Sequence, residues 1–211
     1  PYLMALHSCS TTLGIAIIDS RSPQTSLNSR TFPIGRNLSN KIINCVEVLL
    51  PSSKWTELGR IAVSIGPGGF TSTRITVVMA RTLAQQLNCE LDGISSFALM
   101  APRLANSLTS KQKKNPFWII KDLPRRGRIV GKYQIQRSSK QNNMEIGLEL
   151  EKPHLLSSTT DLKPSFKASD NVDMDVIHLL KKSLIAKKEN KRNEWQKVMP
   201  IYPTSPVENH K

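Results

Sequence analysis

The chain has 211 residues, enough for one medium domain or two small lobes, and its 38% hydrophobic content is typical of a globular protein. No apolar run approaches the ~18 residues that cross a bilayer, and no basic-then-apolar leader opens the chain. We therefore expect a soluble, cytoplasmic protein without a membrane partner. The net charge is +14, and residues 101–211 carry most of it, with 22 basic and 11 acidic side chains. This excess of positive charge favours the binding of a polyanion such as nucleic acid. The alternative is an ordinary solvated basic surface.

The first segments of the chain alternate between strand and turn signals. Apolar runs at Tyr2–Leu6 and Leu13–Ile18 predict two strands, and a weaker third strand ends at Phe32-Pro33, at or near a sheet edge. A helix follows, with Asn37 as its N-cap and Pro51 as its stop. Its apolar residues recur at helical spacing: Leu38, Ile42, Cys45, Val46, Leu49 and Leu50. Ile43 and Val48 widen this stripe beyond what one core needs, which predicts a second packing surface.

A buried strand at Arg60–Ile65 leads into a glycine-rich loop and a second helix. That helix carries one apolar face, formed by Ile75, Val78, Met79, Leu83 and Leu87. A strand at Leu91–Ile94 and a third helix through Leu104, capped by Ser95 or Ser96, complete the first half. The order β-β-β-α-β-α-β-α is that of a ribonuclease-H-like or actin-like lobe.

The second half predicts a smaller lobe after a polar, basic linker at residues 106–116. Strand patterns cover Phe117–Ile120, Arg128–Gln136 and Met144–Glu151, and a helix covers Val172–Lys188. The helix ends in the basic run Lys187–Arg192. We place the lobe boundary between residues 1–105 and 106–211.

The loop that begins at Gly66 has two interpretations. Glycines that open a helix expose backbone N–H groups to an anion, but the segment lacks the lysine of a phosphate-binding loop. The same glycines also permit a tight strand-to-helix turn and close packing.

No catalytic or metal-ligating set is evident in the sequence. The histidines His7, His154, His178 and His210 are scattered. Three distant cysteines form neither a disulfide framework nor a zinc pair. The acidic group at Asp170, Asp173 and Asp175 flanks a helix start, where carboxylates favour the helix dipole.

Several segments resemble the TsaB (YeaZ) family. Leu3–Ser10 is similar to its opening L-A-I-D-T-A/S-T, and Gly66–Thr76, reading G-P-G-G-F-T-S-T-R-I-T, resembles its signature G-P-G-S-F-T-G-L/V-R-I-G. Asp122–Gly127 is similar to the family's D-A-R-R-G-E segment, and Met199–Tyr202 to its closing P-x-Y. The family-motif residues of the loop are Gly66, Pro67, Gly68, Gly69, Phe70, Thr71 and Arg74.

The resemblance implies a two-lobed α/β fold of the actin-like ATPase class, with a smaller, degenerate second lobe. It also implies a non-catalytic scaffold that pairs with TsaD, which forms N6-threonylcarbamoyladenosine at position 37 of tRNAs reading ANN codons. TsaE is a further expected partner, a second copy of the chain is an alternative one, and tRNA is the substrate of the complex. No cofactor of its own is expected; ATP or ADP would bind at the interface of the complex. The first two helices supply the expected partner interface: Leu38, Ile42, Ile43, Val46, Leu49, Val78 and Met79.

Five positions depart from the family pattern: His7 stands in place of an aspartate, Gly69 of a serine, Ser72 and Thr76 of glycines, and Arg128 of the glutamate that closes D-A-R-R-G-E. An imidazole cannot replace a carboxylate that orients a metal and a phosphate, so ATP hydrolysis by this chain alone is not expected. A positive φ at Ser72 would strain the backbone, and Thr76 would crowd close helix packing.

Two other function classes remain open. The first is an actin-like ATPase or kinase, or a peptidase-like enzyme. The second is a stand-alone basic RNA-binding protein. RNA contacts are predicted at Lys187, Lys188, Lys191 and Arg192.

Overall fold

The computed structural model describes residues 1–22, 26–124, 126–138 and 143–203. Its first sheet has five strands, in the order β3-β2-β1-β4-β5. The strands are β1 (Tyr2–His7), β2 (Leu13–Asp19), β3 (Asn28–Phe32), β4 (Leu58–Ser64) and β5 (Glu90–Ile94). β1 pairs antiparallel with β2 and parallel with β4, and β3 lies at an edge, as its weak pattern predicts.

The second sheet has four strands, in the order β8-β7-β6-β9. They are β6 (Phe117–Leu123), β7 (Gly127–Ser138), β8 (Met144–Leu156) and β9 (Ser165–Lys167). Sequence analysis predicts the first three and misses β9, because three residues are too short to show a periodicity.

Four α-helices connect and cover the sheets: α1 (Leu38–Leu49), α2 (Phe70–Leu87), α3 (Ser96–Leu104) and α4 (Val172–Lys188). The order of strands and helices in the first half agrees with the prediction, and the Ser95 side chain caps α3 by accepting a hydrogen bond from the Ala98 N–H at 3.1 Å. Asn37 precedes α1 as predicted but forms no side-chain cap there.

The first sheet is buried on both faces, because β1 alternates between two hydrophobic cores. Met4 and Leu6 face α1 and α2, whereas Leu3 and Ala5 face α4. α3 joins the two sheets, with Phe97 and Ala101 packed on the second sheet and Leu99 beside α4. This is the two-lobed actin-like arrangement that the sequence predicts.

The helix α4 lies in the second half of the sequence but packs on the first sheet. Val176, Leu179 and Leu180 are buried against Leu3 and Ala16 there. The lobe boundary at residue 105 stays a prediction. The helix α4 follows this boundary in the sequence but packs on the sheet of the first lobe.

The packing face of α2 differs from the apolar face read from the sequence. The residues buried against the sheet are small or polar: Thr73, Thr76, Val77, Ala80 and Ala84. Val78 instead is 60% exposed. Small side chains let the helix approach the sheet closely. The other four residues of the predicted apolar face, Ile75, Met79, Leu83 and Leu87, are only partly buried against the same core.

An ion pair is buried between two strands of the first sheet. The Arg60 guanidinium donates to both oxygens of Asp92 at 2.8 and 2.7 Å, and Ser183 of α4 donates to the same carboxylate at 2.5 Å. Removing one partner of such a pair costs about 3–5 kcal/mol, because the other charge stays buried.

Candidate functional site

The glycine-rich loop leaves β4 through a conformation that favours glycine. Gly66 has a φ of +95°, and the peptide bond to Pro67 is cis. The Gly66 carbonyl accepts the Ser96 N–H at 2.7 Å, and the Ser96 hydroxyl donates to the Pro67 carbonyl at 2.7 Å. The start of α3 therefore holds this turn in place.

Gly68 allows the loop to pack on the turn that follows β1. A Cβ atom at position 68 would lie 2.5 Å from the Cys9 carbonyl oxygen, and the Gly69 N–H donates to that oxygen at 2.9 Å. These contacts favour the close-packing interpretation of Gly66 and Gly68. Anion binding by the loop stays a prediction.

Two departures from the family motif fit their surroundings. Ser72 lies in the first turn of α2 and has no positive φ, so the expected strain at this position is wrong. Thr76 is fully buried, and its hydroxyl donates to the Ser72 carbonyl at 3.0 Å and lies 2.5 Å from the Ser8 hydroxyl. The helix therefore packs with Thr76 buried, and the hydroxyl of this residue is satisfied by α2 and by the turn after β1.

His7 and Cys9 form a buried pair where β1 ends. Burial opposes a charge on His7, but the adjacent Cys9, together with the charges of Asp175 and Asp170, outweighs burial and raises the pKa of the imidazole. Burial likewise opposes the thiolate of Cys9, while His7 and hydrogen bonds from Ser64 and Thr73 lower the pKa of the thiol. The Ser64 hydroxyl lies 3.1 Å from the sulfur. Among the described residues, His7 Nδ1 has no hydrogen-bond partner.

An apolar groove runs between α1 and α2 on the surface of the first lobe. It encloses about 470 Å³ and is lined by Ile42, Ile43, Thr71, Arg74, Ile75, Val78 and Met79. Four of the seven predicted interface residues therefore lie together, and two of them, Ile43 and Val78, are clearly exposed.

The other three predicted interface residues lie outside this groove. Leu38 and Val46 belong to the core under α1, and Leu49 is half-buried against that core. Val46 has no exposed surface even without a partner. The expectation that only a partner buries it is wrong, because Val46 lies on the side of α1 that packs on the sheet.

The motif residue Arg74 borders the groove and reaches an aromatic pair. Its guanidinium lies 5.0 Å from the Phe70 ring centroid, and the Phe70 and Tyr202 rings are 5.3 Å apart. Tyr202 belongs to the closing P-x-Y motif, whose Ile201 N–H donates to the Ile65 carbonyl at 2.8 Å. Two motifs that are far apart in the sequence thus meet at the start of α2.

The predicted RNA contacts begin at the end of α4 and are partly engaged within the chain. The Lys187 ammonium donates to the Ser20 hydroxyl at 2.7 Å, and burial lowers the pKa of Lys187. Lys191 pairs with Glu189 at 2.7 Å, while Lys188 and Arg192 are exposed. The RNA contact stays a prediction.

Other residues singled out in the sequence have structural partners. Asp175 accepts two hydrogen bonds from Arg103 at 2.9 Å each, and Asp122 pairs with Arg128 at 3.7 Å. Arg125 of the segment 122–127 lies outside the described residues. Within the described part of the chain, no group of three side chains could hold a metal ion, and no helix is long and apolar enough to cross a membrane.

A cluster of polar residues between the lobes has no signal in the sequence. Ser95, Tyr133, Glu149 and Lys182 come from four different elements. Consecutive members of this cluster lie 16 to 38 residues apart along the chain and match no motif, so only the fold brings them together.

Comparisons with known proteins agree with the motifs. The family model described as TsaD: tRNA N6-adenosine threonylcarbamoyltransferase matches residues 33–142. The tRNA threonylcarbamoyladenosine biosynthesis protein TsaB of Bacillus subtilis is 30% identical over 101 residues, which cover 47% of this chain and 43% of that protein. The uncharacterized protein MG208 homolog of Mycoplasma pneumoniae is 29% identical over 93 residues, 43% of this chain and 47% of that protein. The match thus spans less than half the length of each relative.

Solved structures show the same fold over nearly the whole chain. A protein with similarity to peptidase YEAZ from Pseudomonas aeruginosa superposes with a TM-score of 0.71 at 17% identity, covering 96% of this chain and 99% of that one. YeaZ from Pseudomonas aeruginosa gives a TM-score of 0.69, also at 17% identity, covering 96% and 100%.

Proposed function

This chain belongs to the TsaB (YeaZ) proteins of the family described as TsaD, tRNA N6-adenosine threonylcarbamoyltransferase, and we propose that it is a non-catalytic, protein-binding subunit in tRNA threonylcarbamoyladenosine biosynthesis. The observation that carries the proposal is the exposed apolar groove between α1 and α2. Its partner is TsaD, in a 1:1 complex, with tRNA as the substrate of the complex. A second copy of this chain competes for the same groove.

The groove has the character of a protein interface. Ile43 and Val78 expose 43% and 60% of their surface, and both belong to helices whose opposite faces are already packed on the sheet. Apolar residues gathered on one face favour a partner that removes them from water. Arg74, at the border of the groove and stacked on Phe70, provides the polar rim that such interfaces have.

The absence of catalysis is supported by the residue at position 7. Actin-like ATPases usually carry an aspartate here to orient a metal and a phosphate, whereas His7 is buried beside Cys9 and is 2% exposed. The imidazole has no carboxylate oxygen that could coordinate a hard cation such as Mg²⁺. Catalysis in the complex therefore belongs to TsaD. TsaE, and ATP or ADP at the interface, complete the proposed assembly.

The test is co-purification of this chain with TsaD from its own organism, with the mass of the complex measured by light scattering. Val78→Glu places a charge in the groove and should abolish the 1:1 complex, because an unpaired carboxylate in an apolar interface is costly to desolvate. Val48→Glu is the matched control, since Val48 is 57% exposed on α1 but does not line the groove.

Two results would contradict the proposal. The first is no complex between the unmodified chain and TsaD at any salt or nucleotide concentration tested. The second is equal loss of the complex in both variants while each remains folded by circular dichroism. A homodimer that Val78→Glu disrupts, without any TsaD complex, would assign the groove to self-association.

A further inference from the structure

A cleft of about 800 Å³ lies between the two lobes, and Ile65, the residue before the glycine-rich loop, contributes to its lining. One wall is β5 and the residue that follows it, a second is formed by β7 and β8, and a third by α4 and residues 189–201. Its volume is within the range of small-molecule sites, which often lie where two lobes meet. None of the residues that line the groove contributes to it.

A hydrogen-bonded carboxylate lies in this cleft. Glu149 Oε2 accepts the Ser95 hydroxyl at 2.5 Å and the Tyr133 hydroxyl at 2.9 Å. Both donors are buried and neutral, and burial, followed by the charge of Glu149, raises the pKa of Tyr133, so this tyrosine stays protonated. The two hydroxyls orient the carboxylate without neutralising its charge.

A lysine lines the same cleft. The Lys182 ammonium donates to the Gly147 carbonyl at 3.2 Å, which occupies one of its three N–H groups. Burial lowers the pKa of Lys182 to about 8, and the nearby Glu149 acts in the opposite direction. Among the described residues, no carboxylate lies within the 4 Å of an ion pair with Lys182, and no cation lies within that distance of Glu149.

The other acidic residues that line the cleft have cationic partners. Glu189 pairs with Lys191 at 2.7 Å and Glu194 with Lys197 at 2.9 Å. Asp92 is held by Arg60. Glu149 and Lys182 thus remain as two opposite charges that interact electrostatically without forming an ion pair, and both side chains are partly exposed in the cleft.

We propose that the inner end of this cleft binds a small zwitterion of the α-amino-acid class. The ligand carboxylate binds the free N–H groups of Lys182, and the ligand ammonium binds the carboxylate of Glu149. Ile94, Ile146 and Ile185 supply apolar walls for a side chain. A ligand with both charges satisfies both groups at once, which a simple anion or a simple amine cannot do. The inference stands on the cleft alone and is independent of the pairing with TsaD.

The binding test uses the purified full chain and the twenty standard L-amino acids in thermal-shift measurements, each at 10 mM except the poorly soluble L-tyrosine, which is used at saturation. At least one amino acid should raise Tm, and isothermal titration then gives its Kd. L-Leucine is compared with 4-methylpentanoic acid, which lacks the amine, and with 3-methylbutylamine, which lacks the carboxylate. Each single-charge analogue should bind at least 10-fold more weakly than the zwitterion.

Variants locate the site. Lys182→Met and Glu149→Gln remove one charge each and should weaken binding at least 10-fold, whereas Lys197→Met at the exposed rim should change Kd less than 2-fold. No stabilisation by any amino acid overturns the proposal. So does equal binding of L-leucine and 4-methylpentanoic acid, or binding that survives both inner variants. These comparisons among ligands use the unmodified chain and hold even if a variant fails to fold.

Discussion

At the scale of single residues, burial and local contacts decide what the motif positions do. Position 72 illustrates this, because the family's glycine suggests a special backbone conformation, whereas Ser72 lies in an ordinary helical turn and donates to the Gly69 carbonyl at 3.1 Å. Position 68 is the opposite case, since the Cys9 backbone leaves no room for a side chain. The family motif has glycine at both positions, but only the contacts in the structure show that glycine is required at position 68 and not at position 72.

His178 gives a testable pH dependence at this scale. Burial, then the charges of Lys182 and Lys181, lower the pKa of this imidazole to about 3, and its Nε2 has no hydrogen-bond partner among the described residues. Between pH 6.5 and about 3 the unfolded chain binds a proton at His178 that the folded chain does not. Stability is therefore lost as the pH falls through this window.

The expected loss from His178 between pH 7 and pH 5 is about 2 kcal/mol, because each pH unit below the unfolded pKa costs about 1.4 kcal/mol. Urea unfolding of the unmodified chain and of His178→Met at both pH values measures it. The variant should lose about 2 kcal/mol less than the unmodified chain. Equal losses in the two proteins would refute this assignment.

At the scale of elements, α4 shows what a local sequence pattern can predict about a helix and what it cannot. Its limits, Val172–Lys188, follow from the apolar spacing in the sequence. The structure adds an N-cap, since the Asn171 side chain accepts the Met174 N–H at 3.1 Å. Its packing partner does not follow, because spacing identifies a buried face but not the surface that covers it. In the structure that surface is the first sheet.

Truncating α4 side chains tests this assignment. Leu179→Ala should lower the free energy of unfolding by about 3 kcal/mol, since Leu179 is fully buried among residues of the first sheet and leaves a cavity there. Met174→Ala on the same helix is the control, because Met174 is 51% exposed, and it should change stability by less than about 0.5 kcal/mol. Denaturant unfolding measures both, and similar values for the two variants would contradict the packing.

At the scale of the whole molecule, charge is distributed unevenly, and the basic run after α4 lies where the second half of the chain returns to the first lobe. Lys187 reaches Ser20 of the first lobe, while Lys188 and Arg192 face solvent. A tRNA phosphate backbone brought to the complex would meet this run as part of the +11 second half.

A four-site charge reversal tests this contact, with Glu at positions 187, 188, 191 and 192. It should weaken tRNA binding at least 10-fold at 100 mM salt and flatten the dependence of log Kd on log salt, because fewer counterions are released. The control reverses four exposed first-lobe cations, and it changes the net charge equally: Arg30, Arg36, Lys41 and Lys54. Fluorescence anisotropy measures both. Unchanged affinity in the first variant, or the same loss in the control, would contradict a contact at this run.

The sequence alone determined the order of strands and helices in the first half of the chain, three of the four strands of the second sheet, and the family. It also placed β3 at or near an edge and limited the cap of α3 to Ser95 or Ser96. These features depend on residues near one another in the chain, such as alternating or helical apolar spacing, a serine before a helix, and the G-P-G-x-F-T-x-x-R string. It also brought Ile42, Ile43, Val78 and Met79 to one candidate surface, since two helices on one face of a sheet expose adjacent stripes.

Only the tertiary structure decided which faces are covered. It buried Leu38 and Val46 in the core, turned the small residues of α2 toward the sheet, and placed α4 on the first lobe. It also brought Glu149 and Lys182 into one cleft with Ser95. Burial depends on contacts between segments that are far apart in the chain, and so does the proximity of side chains such as Glu149 and Lys182. The local spacing of apolar residues does not predict such contacts.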